Sequence, residues 1–139
     1  MYAAVAVSYA LRSLNWGTAT GVTQYLGLTL MLIGILLREW AIAVLGRYFT
    51  VVVQTEPDQH LVTRGPYRWL RHPAYTGTLV TILGFPLALG TWSGLLVAET
   101  IALVATTYRM RVEERALVAA LGDEYREYMR HTWKFFPGW

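Results

Sequence analysis

Cysteine is absent from the 139 residues, which excludes disulfide staples, cysteine-ligated zinc, iron–sulfur clusters and thiol nucleophiles. Charge is scarce as well. Charged residues make up 15% of the chain against 55% hydrophobic, the opposite of what a disordered tail or a coiled coil requires. No Gly-x-Gly-x-x-Gly fingerprint is present, so nothing marks a Rossmann-type nucleotide site. No His, Asp and Glu residues have metal-ligand spacing, and no metal is expected. The net charge of +3 comes with no nucleic-acid recognition motif, so no nucleic-acid partner is expected either. Internal repeats and low-complexity linkers are also lacking.

What the chain has is long apolar stretches. Crossing a hydrocarbon core of about 30 Å takes roughly 20 helical residues, or about 17 at the lower limit. Three stretches qualify: Val22 to Gly46, Pro73 to Leu89 and Trp92 to Tyr108, with Gly90-Thr91 as a tight turn between the last two. The segment Tyr2 to Leu14 is too short to span unaided and reads as a partial or tilted fourth helix. It has neither the basic start nor the cleavage site of a signal peptide. The fold class expected is all-α, a polytopic integral membrane protein with three to four transmembrane helices. Residues 1–46 form its N-terminal membrane helices, and residues 47–139 its polar, chemistry-bearing region.

Orientation follows from the cations. Ten of the 12 lysines and arginines fall in the stretches 47–72 and 109–134, which the hairpin 73–108 returns to one side. By the positive-inside rule that side is the cytoplasm, so the protein is expected in the cytoplasmic (inner) membrane with its polar face inward.

The polar residues have chemical as well as topological readings. The run from Arg47 to Gln54 is β-branched and too short to span, which suits an extended segment on the membrane surface. Gly65-Pro66 marks a turn, and Pro73 suits the first position of a helix, where a missing N–H costs nothing. Arg71 and His72 thereby lie at a helix N-terminus, a place where a small carboxylate or phosphate can dock. Arg109 and Glu113 share a helix face at the membrane boundary. Leu121-Gly122-Asp123 reads as a helix stop and restart, with Gly122 as C-cap and Asp123 as N-cap, and the aromatic, basic tail Trp133 to Trp139 suits the headgroup level. Plainer readings stand beside these. Boundary arginines act as topology signals, a His-Pro pair as a helix stop, Arg109–Glu113 as a solvated pair and Arg38-Glu39 as a neutralising pair. Glu99, a charge within the last span, is a functional candidate by default or else a carboxyl with Thr or backbone partners.

Taken in order, Leu61-Val62-Thr63-x-Gly65-Pro66-Tyr67, Arg71-His72-Pro73-x-Tyr75-x-Gly77, a two-span hairpin, Arg109-x-x-x-Glu113-Glu114 and Leu121-Gly122-Asp123-Glu124-Tyr125-x-x-Tyr128 resemble the isoprenylcysteine carboxyl methyltransferase family, which belongs with the membrane phospholipid methyltransferases. The resemblance covers roughly Gln54 to Pro137. It implies a cytoplasmic-face site for S-adenosylmethionine without a Rossmann fold. The positions it marks for the cofactor are Gln54, Gln59 or His60, Leu61, Val62, Tyr67, His72, Pro73, Ala74, Tyr75 and Glu113, with Arg71 and Glu114 counted in the same pocket. Arg109 is the implied catalytic residue, facing a lipid-like or prenylated acceptor. An acceptor carboxylate is already ionised at neutral pH and needs no base, which an arginine cannot supply. This tilts the expectation toward O-methylation of a carboxylate such as that of an isoprenylated cysteine. Three alternatives stay open: a phospholipid N-methyltransferase, an NADPH-dependent sterol-type membrane reductase, which shares a Gly-x-Tyr and Arg-His-Pro-x-Tyr stretch, and a non-catalytic remnant of the fold.

Overall fold

The computed structural model describes residues 21–46 and 61–136, together with Ala10 and Gly138. Four α-helices account for most of them: α1 (Val22–Leu45), α2 (Pro73–Ala88), α3 (Trp92–Leu121) and α4 (Asp123–His131), with a 3₁₀ turn at Gly65–Arg68. No strand occurs among the described residues, only an isolated parallel bridge between Leu70 and Trp133. Punctuation in the sequence sets the ends. Pro73 opens α2, Gly90 turns the chain at φ 71°, and Gly122 at φ 58° separates α3 from α4. The expected cap sits one residue earlier than the sequence suggests: Gly122 is the N-cap of α4, and Asp123 is inside its first turn. The expected partial helix at 2–14 lies, apart from Ala10, outside the described residues, as does the extended run 47–54.

The chain divides into two compact units. The first comprises residues 1–36 and 77–106. Its core is Leu79, Ile82, Ala98 and Ala102, a pair of large residues from α2 against a pair of alanines from α3. Small residues also bring α1 close to α2. A Cβ on Gly27 would lie 2.2 Å from the Ala88 nitrogen, and one on Gly34 would lie 2.6 Å from the Gly77 oxygen. Such contact between helix backbones is the usual means of packing where lipid offers no hydrophobic drive. The other faces carry exposed apolar side chains, among them Leu28, Leu32, Ile33, Leu96 and Val104. A surface this apolar suits lipid rather than water. Within the described residues one helix, α1, is both long and apolar enough to cross a membrane; α2, with 16 residues, is shorter.

The second unit comprises residues 37–76 and 107–139. Ala41, Tyr67 and Ala74 form its apolar cluster, with Val44, Leu45 and Val62 packed against it. Gly65 is required here twice over: its φ is 60°, and a Cβ would sit 2.9 Å from a Val44 methyl. The tail is stitched to the segment before α2 by three backbone bonds. The Arg71 N–H donates to the Trp133 carbonyl at 2.8 Å, the His72 N–H to the Lys134 carbonyl at 3.2 Å, and the Trp133 N–H to the Trp69 carbonyl at 3.0 Å.

Candidate active site

The site lies within the second unit and is built on the first turn of α2. One turn of helix places His72, just before Pro73, beside Tyr75, their ring centroids 5.7 Å apart and tilted by 53°. The Tyr75 phenol donates to the Glu113 carboxylate, and the Arg109 guanidinium lies 6.0 Å from the Tyr75 ring centroid. Arg109 and Glu113 are one turn apart on α3, so a single aromatic ring meets both the cation and the carboxylate. Arg38, from α1, is close enough to bear on the same phenol. Tyr67 is buried near Glu113, Tyr128 and Tyr75, and burial first, then the Glu113 charge, pushes its phenol well above the ordinary range. Tyr67 is therefore a neutral donor at any physiological pH.

The neighbouring cluster is organised by Glu114. Its Oε1 accepts from Arg71 Nε at 3.1 Å and from His72 Nε2 at 3.3 Å, and its Oε2 lies 2.9 Å from Lys134 Nζ. Burial alone would raise the Glu114 pKa; hydrogen bonds from His72 and Lys134, and their charge, overcome it and hold the carboxyl at about 2. An ionised carboxylate only accepts, so His72 Nε2 carries a hydrogen. In the neutral ring Nδ1 is then the acceptor. Arg71 has further work: its Nη1 donates to the carbonyls of Met129, at 2.7 Å, and Thr132. It thus caps the C-terminus of α4, where carbonyls lack helical partners and a cation suits the dipole. The Tyr128 hydroxyl donates to the Tyr67 carbonyl at 2.6 Å, closing α4 onto the loop. Burial pushes that phenol up to about 12 against the opposing pull of Arg71.

Of the residues singled out from sequence, Tyr67, His72, Tyr75, Arg109 and Glu113 come together. Ala74 and Val62 belong to the adjoining apolar cluster, Leu61 is half-buried at its edge, and Pro73 is buried as the first residue of α2. Arg71 and Glu114 belong to the tail-binding network. The donors offered in sequence to an anion, Arg71 and the N–H groups before Pro73, are engaged by the protein's own tail. Gln54, Gln59 and His60 lie outside the described residues. Sequence reasoning missed Lys134 as a partner of Glu114, Tyr128 as a clasp, and Arg38 as a neighbour of Tyr75. For Arg38 a signal existed, a cation within a long apolar helix. For Lys134 there was none.

A sequence profile of the isoprenylcysteine carboxyl methyltransferase (ICMT) family matches residues 26–119. The chain is 33% identical over 116 residues to a probable protein-S-isoprenylcysteine O-methyltransferase of Oryza sativa subsp. indica, covering 82% of this chain and 61% of the relative. It is 32% identical over 120 residues to the protein-S-isoprenylcysteine O-methyltransferase of Saccharomyces cerevisiae, covering 85% of this chain and 50% of the relative. Among solved structures it is similar to a eukaryotic intramembrane Ras methyltransferase ICMT, with a TM-score of 0.79 and 28% identity over 83% of this chain and 42% of that one. The chain spans about half the length of the curated relatives it matches.

Proposed function

The chain belongs to the isoprenylcysteine carboxyl methyltransferase family, and from that premise we propose that it is an integral-membrane enzyme moving a methyl group from S-adenosylmethionine to a lipid-like carboxylate, such as that of an isoprenylated cysteine. The observation that carries the reading is Tyr75, held between the Glu113 carboxylate and the Arg109 guanidinium. Its membrane-spanning parts are α1, α2 and the first part of α3. At 1.5 Å per residue these measure about 36 Å for the 24 residues of α1 and about 24 Å for the 16 of α2. The segment 2–14 is the fourth candidate. Residues 47–139 are the catalytic region, to which α1 lends Arg38 and Ala41, and the site faces the cytoplasm.

The residues present fit a cationic, adenosine-bearing methyl donor. Tyr67 and Tyr75 offer aromatic faces, Glu113 a carboxylate, and Leu61, Val62, Pro73 and Ala74 apolar walls. When bound, S-adenosylmethionine supplies a methyl group activated by its sulfonium. Tyr75 meets such a cation through its π-face, an attraction of about 0.5–2 kcal/mol that grows as water leaves. Glu113 accepts from an ammonium or a ribose hydroxyl, and His72 offers Nδ1 for the same class of donor. Gln54 and His60, marked by the family resemblance, are proposed as further cofactor residues. Arg109 holds the acceptor carboxylate through charge-assisted hydrogen bonds. No side chain need move a proton, since the acceptor is ionised at neutral pH. What the chain contributes is alignment and a dry site, both of which raise the rate of an in-line displacement.

Membranes containing the protein, supplied with S-adenosylmethionine labelled in its methyl group and with an S-farnesylated N-acetylcysteine, are expected to form a base-labile methyl ester. Label in stable N-methyl lipid redirects the reading to a phospholipid amine acceptor. Label in neither overturns it.

A further inference from the structure

Two consecutive carboxylates on α3 serve different rings. A helix turns about 100° per residue, so Glu113 and Glu114 diverge. Glu113 accepts from the Tyr75 phenol, whereas Glu114 accepts from His72 Nε2 at 3.3 Å. The two rings are themselves in contact at 5.7 Å, on either side of Pro73. Glu114 is nearly buried, with 12% of its side chain exposed, and Arg71, His72 and Lys134 engage both of its oxygens. Arg71 and Lys134 bring the C-terminal tail with them, since Arg71 also holds the Met129 and Thr132 carbonyls. We infer that Glu114 is a positioning residue for methyl transfer: it fixes His72, and through the adjoining Tyr75 ring it sets where Arg109 stands, without itself touching the cofactor. The inference rests on the S-adenosylmethionine reading above and deepens it.

What the two carboxylates fix is the rotation of α3. Arg109, Glu113 and Glu114 lie within six residues of one rigid helix, and their side-chain directions are tied to its rotation about its own axis. Glu113 on Tyr75 gives one tether to the first turn of α2, and a single tether leaves that rotation soft. Glu114 on His72 gives the second, 100° around the helix, and together they hold Arg109 over the Tyr75 ring. The tail is the brace that keeps His72 and Glu114 together: the His72 N–H donates to the Lys134 carbonyl, and Lys134 Nζ bonds the carboxylate. Positioning of this kind acts on turnover rather than on cofactor affinity.

The test compares wild type, Glu114→Gln, Lys134→Met and Glu113→Gln in detergent-solubilised full chain. S-adenosylhomocysteine binding is measured by calorimetry for both Kd and the number of competent sites, and turnover on the S-farnesylated N-acetylcysteine is expressed per competent site. A misplacement of about 1 Å costs on the order of 100-fold in rate, so Glu114→Gln is expected to lose turnover per site on that scale, with Kd within about threefold of wild type. Lys134→Met, which keeps the carboxylate and removes only its outer partner, is expected to lose several-fold in the same direction. It decides the matter should Glu114→Gln fail to fold. Glu113→Gln is expected to raise Kd. Turnover per site unchanged in Glu114→Gln and Lys134→Met would make Glu114 a fold residue only, and a rise in Kd matching that of Glu113→Gln would make it a cofactor ligand. Either result overturns the inference. Wild-type protein that neither binds S-adenosylhomocysteine nor forms the ester overturns the functional reading itself, and the inference with it.

Discussion

Lowering the pH should release the C-terminal tail before the helices unfold, and Glu114 sets the window. In the folded protein its carboxyl is held at about 2, against 4.5 for the free side chain, because its hydrogen bonds from His72 and Lys134 overcome the cost of burial. A folded pKa below the unfolded one means that the carboxylate form stabilises the clasp. That contribution is complete above pH about 4.5, declines as pH falls, and is gone below pH about 2. At 1.36 kcal/mol per pH unit the difference amounts to about 3 kcal/mol. The assay is hydrogen exchange at the Arg71, His72 and Trp133 amides, whose bonds join the tail to the segment before α2. Between pH 6 and pH 2 their opening free energy should fall by the share of that difference that Lys134 supplies, below the full value of about 3 kcal/mol because His72 keeps its bond to Glu114 when the tail leaves, while amides within α1 change little. Glu114→Gln should abolish that slope and start from the weakened value, since Arg71 and Lys134 then lose their shared counter-charge. A flat profile in wild type, or an equal slope in the Gln variant, would refute the assignment of the clasp to this carboxylate.

Four other perturbations test separate parts of the structure. Gly34→Ala puts a methyl 2.5 Å from Thr81 Oγ1 and 2.6 Å from the Gly77 carbonyl, so thermal unfolding in detergent should show a loss of roughly 1–3 kcal/mol. Glu99→Leu should do the reverse: Glu99 Oε2 is buried without a hydrogen-bond partner, beside a cleft of about 240 Å³ lined chiefly by leucines. Replacing it should stabilise the protein by about 2 kcal/mol in the same assay, and a loss would mean that the carboxyl has a partner in the membrane. Tyr128→Phe removes the donor to the Tyr67 carbonyl and should cost about 1–3 kcal/mol, seen as faster exchange at the Leu70 and Arg71 amides. Arg109→Lys keeps the charge but loses the planar fork, so turnover should fall by at least about tenfold with S-adenosylhomocysteine affinity unchanged.

The helices were legible because their signals are local. The helices expected over 22–46 and 73–89 match α1 and α2 to within a residue, and the stretch expected from Trp92 to Tyr108 lies within the single 30-residue α3. Proline and glycine mark the boundaries by their own backbone preferences, and the positive φ at Gly90 and Gly122 falls where the turns were expected. The one slip, at Asp123, has a physical reason. Its carboxylate accepts from the Arg126 side chain one turn along at 2.7 Å, rather than taking the backbone N–H groups that an N-cap side chain satisfies.

The network around Glu114 was illegible for the opposite reason: its partners are distant in the chain. Arg71 bonds residues 43, 58 and 61 positions away, and no local pattern predicts that a tail carrying Trp133 and Lys134 folds back onto the segment before Pro73. In the sequence Arg71 beside a helix N-terminus reads as an anion site, because the partners that saturate it lie beyond any periodicity. Likewise Glu113-Glu114 reads as one acidic feature, yet the turn of the helix sends one carboxylate to Tyr75 and the other to Arg71, His72 and Lys134. A run of charged residues at a site therefore divides into groups facing a ligand and groups facing the protein's own cations. The division goes with burial: Glu114 stays ionised while nearly buried because Arg71, His72 and Lys134 surround it.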